Sequence, residues 1–177
     1  MRSVSQEVIE RVEASGKRLA NRPRISIRMF LEAFKDSVEA EAVDSFWESR
    51  KKGNLKKKAE KLGQELLGFF ARARLENRGA VIREAKSGIG FVDVLVTFSS
   101  GFLHVVELKM LKGKSVPGPS QLAVYMKQKK RTEGWLVLFD TRNANYKTKV
   151  YPTIKRSVGP IRTVVIDINP TPPHKLP

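Results

Sequence analysis

Phe91-Val92-Asp93-Val94-Leu95-Val96-Thr97-Phe98-Ser99-Ser100-Gly101-Phe102-Leu103-His104-Val105-Val106-Glu107-Leu108-Lys109-Met110 is the stretch that decides the fold. Two runs of β-branched and aromatic residues flank Ser99-Ser100-Gly101, a three-residue loop ending in a glycine suited to the left-handed position of a hairpin turn. The spacing predicts antiparallel strands over 91–98 and 102–110. Phe98 then faces Phe102, directly opposed residues keep an index sum of 200, and Asp93 falls opposite Glu107. Opposed side chains share a face with Cβ atoms about 4.5–5.5 Å apart, so two carboxylates so placed repel unless a cation lies between them. Alternation also puts Lys109 on the face of Glu107 and sends Val106, Leu108 and His104 to the other.

Outward from this hairpin, residues 80–83, 135–139 and 161–168 also read as strands, and a helix of about 119–130 opens on Pro119, a residue suited to the first helical turn. Before the hairpin the period is helical. Ser3 and Gln6 have capping-box spacing ahead of Val4, Val8 and Val12, which share a face up to Gly16. A second helix after residues 21–24 carries Phe30, Ala33, Phe34, Val38, Phe46 and Trp47 and stops at Gly53-Asn54; a third runs from about Lys56 to Leu75. The order helix, strand, strand, strand, helix, strand, strand describes an α/β sandwich whose mixed sheet starts antiparallel and continues by a crossover. The expected organisation is an N-terminal helical arm over 1–54, a core over 55–168 and a mobile Pro-rich tail over 169–177.

The 177 residues contain 34 Lys+Arg against 18 Asp+Glu, a net charge of +16, and beyond Ala85 fifteen basic residues face five acidic ones. An excess that pervades the core as well as one tail points to a polyanionic partner, nucleic acid before membrane, since no strongly amphipathic Lys-rich helix stands out. With no cysteine, disulfides, thiolate metal sites and cysteine nucleophiles are excluded. Without an apolar run of spanning length or a signal-peptide pattern at the N-terminus, the expectation is a soluble, cytoplasmic protein.

Hard carboxylate oxygens suit Mg²⁺, with Mn²⁺ as an alternative; such an ion activates water and clamps a phosphate oxygen. Lys109, one step along the same face, is placed to position or deprotonate that water or to neutralise charge at phosphorus. Metal-assisted phosphodiester hydrolysis is the chemistry these parts can perform.

Asp93 followed by Glu107-Leu108-Lys109 resembles the PD-(D/E)xK nuclease superfamily, with Val92 in place of the motif's proline, and Gln121-Leu122-Ala123-Val124-Tyr125 resembles the QxxxY element of its RecB-type members. The resemblance spans about residues 56–140. It implies a restriction-endonuclease-like αβββαβ core with a mixed sheet flanked by helices, and the activity of a Mg²⁺-dependent deoxyribonuclease in a phage, mobile-element, defence or repair setting. It gives Asp93 and Glu107 metal binding, Lys109 catalysis, Gln121 orientation of the site, and a further acid from the helix before the hairpin. Glu60, Glu65 and Glu76 compete for that last role, with Glu84 on the first strand a further candidate. An apolar face drawn through Leu62, Leu66, Phe69 and Ala73 puts Glu65 at its inward edge and turns Glu60 away, so Glu65 is chosen as the assisting metal ligand among the catalytic residues.

Lys56, Lys57, Lys58 and Lys61, with Lys127, Lys130 and Arg131, are expected to contact phosphates, with Tyr125 beside them, on DNA in preference to RNA. A homodimer is compatible with the sequence. The rival readings are a non-catalytic basic nucleic-acid-binding module of the same fold, a basic structural protein of a ribonucleoprotein, and, for Glu107 and Lys109 themselves, a structural salt bridge on an edge strand.

Overall fold

The computed structural model describes residues 6–18, 25–75, 79–87, 90–98, 103–142 and 152–170, of which 15–18, 81–87 and 90–93 are described by backbone alone. Two helices open the chain, α1 (Gln6–Arg18) and α2 (Ile27–Glu41). The hydroxyl of Ser26 accepts from the Met29 amide at 3.2 Å and caps α2. Phe30, Leu31, Phe34 and Val38 form its buried stripe. The expected second helix ends earlier than its periodicity suggests. Ala42 and Phe46 continue the four-residue spacing of Phe34 and Val38 and are buried, but the backbone tightens into a 3-10 turn, Val43–Phe46. Trp47 then opens a two-stranded ribbon, β1 (Trp47–Ser49) with β2 (Asn54–Leu55), closed by Gly53 at φ +67°. The Trp47 indole donates to the Ile168 carbonyl at 3.0 Å, fixing the ribbon to the end of the sheet.

The next helix, α3 (Ala59–Leu75), precedes β3 (Gly79–Ser87), β4 (Gly90–Phe98), β5 (Leu103–Leu111), α4 (Pro119–Gln128), β6 (Gly134–Asp140), β7 (Thr153–Arg156) and β8 (Gly159–Asp167). The six-stranded sheet has the order β3-β4-β5-β6-β8-β7. Its first three strands are antiparallel, β5, β6 and β8 are parallel, and β7 returns antiparallel on β8. This is a mixed α/β fold with a mixed sheet flanked by helices. The expected element order is met, with β7 added; that short strand has one apolar residue, Ile154, and carries no two-residue alternation to betray it.

Sheet parity sorts two cores. Val94, Val96, Val106, Leu108, Val137 and Phe139 pack under α1, α2 and α3 together with Phe30, Phe34 and Phe70. Leu95, Val105, Leu111, Leu136 and Leu138 pack under α4 through Leu122, Tyr125 and Met126. Phe30 and Phe34 each stand 5.6 Å from the Phe70 ring, so the helices expected to form an N-terminal arm share the core of the sheet domain. The register within the hairpin is the one expected: Val94↔Val106, Leu95↔Val105, Val96↔His104 and Thr97↔Leu103 all sum to 200. The loop over 99–101, Ser3 and Val4 of the first helix, and the tail over 171–177 with His174 lie outside the described residues.

His104 illustrates the parity. Its ring lies edge-on to Phe98 at 5.6 Å, on the face opposite Glu107. Burial lowers its pKa below the ordinary 6.5, opposed by the charge of Glu133 and assisted by that of Arg131. The unfolded chain therefore binds the proton more readily, so His104 contributes stability above pH 6.5 that is lost as pH falls through the lowered folded value. The melting temperature is expected to fall on acidification through this window, and His104→Phe to flatten that segment of the profile; a variant with the parental pH dependence would remove His104 as the source.

Candidate active site

β5 lies between β4 and β6, so Glu107-Leu108-Lys109 is on an interior strand and the edge-strand explanation does not apply. Val105 and Leu111, on the same face, are fully buried, as is Glu107. A carboxylate at such a position needs a cation. The Lys109 ammonium supplies it, 3.0 Å from Glu107 Oε1 and 3.0 Å from Glu60 Oε1. The two carboxylates thus arrive from different layers, Glu107 from the sheet and Glu60 from the first turn of α3, and converge on one positive point.

Two glycines set this geometry. Gly63, one turn after Glu60, lies so close to β6 that an added Cβ would stand 2.5 Å from Phe139 Cε2, which seats the start of α3 on the sheet. Gly118 begins α4 at φ +97°, a conformation that L side chains rarely adopt. A Cβ there would meet Leu136 Cδ1 at 3.0 Å, Lys109 Cγ at 3.1 Å and Glu107 Cγ at 3.6 Å. The bare backbone of Gly118 therefore closes over the stems of both charged residues, while the Lys109 nitrogen reaches α3 on the other side. Gly118→Ala is expected to destabilise by about 1–3 kcal/mol, from the left-handed backbone and the crowded stems together, seen as a lower urea midpoint with an unchanged m-value. An unchanged midpoint would show that the lid over Lys109 is loose.

The other expected residues divide. Asp93 lies on β4, one residue before Val94, whose pairing with Val106 is the last described between β4 and β5; its side chain lies outside the described residues, as does that of Glu84. Glu76 is outside them altogether. Glu65 is half-buried, and at 100° per residue sits about 140° around α3 from Glu60, so it does not join the Lys109 cluster. The helical acid that reaches Lys109 is Glu60. The expected face failed because Phe69 is only half-buried whereas Leu67, Phe70, Ala71 and Arg74 are buried, which turns the inner face of α3 toward Glu60 by about 80°.

Gln121 donates to the Tyr125 hydroxyl at 2.8 Å. Gln121 is exposed on the first turn of α4, whereas Tyr125 is buried in the core beneath it, so the QxxxY spacing ties a surface amide to a core phenol.

The basic residues expected to contact phosphates differ in exposure. Lys57, Lys58 and Lys61 are exposed around Glu60, and Lys56 is half-buried. Lys127 and Lys130 are exposed near the end of α4, and Arg131 is half-buried. Arg50, before these lysines in the chain, is taken up by the fold: its guanidinium donates to the Asn169 carbonyl at 3.2 and 3.0 Å and pairs with Asp44 at 2.8 Å.

Among the described residues no three His, Asp or Glu side chains form a metal-holding group. The Glu60–Glu107 pair nevertheless fits a hard divalent ion, because its oxygens already converge on a cation and contain no soft donor.

Residues 26–143 match the family described as a domain of unknown function, DUF8371. The chain belongs to this family. Glu60, Asp93, Glu107, Lys109 and Gln121 all fall inside the DUF8371 segment, together with both basic clusters, while β7 and β8 follow it. No curated protein and no solved structure matches the chain. No helix among the described residues is long and apolar enough to cross a membrane.

Proposed function

We propose that this DUF8371 protein is a divalent-metal-dependent nuclease that hydrolyses phosphodiester bonds, in DNA before RNA, on a restriction-endonuclease-like arrangement of α3 through β8. One observation carries the reading: a buried glutamate on an interior strand and a second glutamate from the preceding helix share the ammonium of a lysine two residues further along that strand. Glu107 and Glu60, with Asp93 of the neighbouring strand β4, are the residues to hold Mg²⁺ or Mn²⁺. Bound there, the ion supplies an activated water and a clamp on a phosphate oxygen. Lys109 positions the attacking water or offsets the charge that develops on phosphorus. The water oxygen bonds to phosphorus as the phosphorus–oxygen bond to the leaving nucleoside breaks, and that oxygen takes up a proton. The exposed Lys57, Lys58 and Lys61 around Glu60 supply sequence-independent attraction for the backbone next to the site.

A non-catalytic nucleic-acid-binding module is the second reading, favoured by the fact that the Lys109 ammonium itself lies where the two carboxylates converge. Incubation with circular DNA, linear DNA and RNA, each with Mg²⁺ and with a chelator, separates the two. The nuclease reading expects Mg²⁺-dependent cleavage of DNA that the chelator abolishes. Binding without cleavage under every condition would overturn it in favour of the module.

A further inference from the structure

The far end of α4 carries a second feature. The helix closes with the Lys130 amide donating to the Lys127 carbonyl at 3.1 Å and the Arg131 amide to the Met126 carbonyl at 2.8 Å, the paired bonds of a Schellman cap. That cap requires a left-handed residue after the helix, a place where glycine is favoured. Here it is Lys130, at φ +52°, the one non-glycine residue with positive φ among the described residues. A lysine in that position gives up backbone ease and gains an exposed ammonium.

The β7–β8 hairpin is fastened to the same place. Gly159, at φ +129°, runs so close that an added Cβ would lie 2.0 Å from the Thr132 carbonyl oxygen. Arg156 pairs with Gly159 across the turn, and Lys155 pairs with Pro160; both basic side chains are exposed. Glu133, the acid nearby, is committed to Arg162 at 2.8 Å. Ile154 packs with the α4 core, so alternation turns Arg156 to the α4 face and Lys155 to the other. Lys127, Lys130 and Arg156 are therefore exposed charges on the α4 side, drawn from two elements that are 26 residues or more apart in sequence and joined by a close backbone approach.

We propose that this surface is a second phosphate-binding platform for duplex DNA, set apart from the Glu60–Glu107–Lys109 cluster. The ten-residue α4 starts at Gly118 over Lys109 and ends at the platform, a separation of about 15 Å at 1.5 Å per residue. With strand phosphates about 3.4 Å apart along the duplex axis, this spans about four to five phosphate steps. The platform holds the duplex beyond the reacting bond, and its three exposed basic side chains read backbone, not bases. The inference rests on the nucleic-acid partner of the proposed function and is tested without cleavage.

Binding to a linear DNA duplex two helical turns long is measured by fluorescence anisotropy across a salt series, in chelator, for the full chain. Arg156→Ser is expected to lower the slope of log K against log salt by up to about 0.9, the contribution of one phosphate that is no longer neutralised. Lys130→Gly is the diagnostic variant: glycine suits the left-handed cap, so its melting temperature should equal or exceed the parent's while the slope falls by up to about 0.9. Arg28→Ser, which removes an exposed charge from α2, controls for net charge and is expected to leave the slope unchanged. Unchanged slopes in the platform variants, or an equal loss per charge in Arg28→Ser, would overturn the platform while leaving the nuclease reading standing. Failure of the unmodified protein to bind DNA would overturn both.

Discussion

Glu107→Gln is expected to reduce Mg²⁺-dependent cleavage by at least about 10²–10³-fold while DNA binding in chelator stays within a factor of about two of the parent. Glu107 is fully buried and its oxygen lies 3.0 Å from the Lys109 ammonium, so the amide removes a buried negative charge from the cluster at nearly constant volume. The Lys57, Lys58 and Lys61 side chains that attract the backbone are untouched. Stability should move little in comparison with activity: Lys109 keeps Glu60 as a partner, and the substituted amide still presents an oxygen toward the ammonium. Single-turnover cleavage at saturating DNA, with a chemical denaturation curve on the same preparation, reads both quantities. Cleavage at the parental rate in a folded Glu107→Gln protein would remove β5 from the chemistry.

What the sequence made legible is the part of the fold whose signal is local. The β4–β5 hairpin is announced by its two apolar runs and the glycine that closes their loop, and a constant index sum follows from antiparallel pairing, so the register and the shared face of Glu107 and Lys109 can be counted without coordinates. The helical acid could not be counted in this way. Whether α3 turns Phe69 or Phe70 inward decides whether Glu65 or Glu60 approaches β5, and Phe70 goes inward because Phe30 and Phe34 of α2, forty and thirty-six residues earlier in the chain, pack on its ring. That packing has no trace in the local period. The overrun of α2 has a related cause: Ala42 and Phe46 keep the apolar spacing of Phe34 and Val38, and hydrophobic periodicity does not distinguish a continuing α-helix from a 3-10 turn that buries the same side. β7 escaped because main-chain pairing with β8, not side-chain burial, makes it a strand.

Lys109→Met is expected to separate two roles of one lysine. In the metal-free protein the ammonium lies 3.0 Å from an oxygen of Glu60 and 3.0 Å from an oxygen of Glu107, and its removal leaves two carboxylates facing a common point with nothing positive between them. Breaking a fully buried ion pair from one side costs about 3–5 kcal/mol. Here the Lys109 side chain keeps 18% exposure and that of Glu60 39%, so water relieves part of the repulsion and the loss should be nearer about 2 kcal/mol. For a chain of this length that is a fall of roughly 4–8 °C in melting temperature without metal. A divalent cation should restore most of it, because the same two oxygens then find a positive partner, and Mg²⁺ should bind more tightly than to the parent, since the ion no longer displaces a resident ammonium. Cleavage should nonetheless fall by about 10²-fold or more, because nothing remains to position the water or offset charge at phosphorus. Lys109→Arg should recover part of the stability and little of the rate: a guanidinium can pair with carboxylates, but its planar fork does not fit beneath Gly118 as a point charge and does not deprotonate. Calorimetric Mg²⁺ titration, melting with and without Mg²⁺, and single-turnover cleavage read the three effects separately. A Met variant that loses cleavage without losing metal-free stability would place Lys109 away from the carboxylates in solution, and one that loses stability while cleaving normally would make the lysine a structural counter-ion alone.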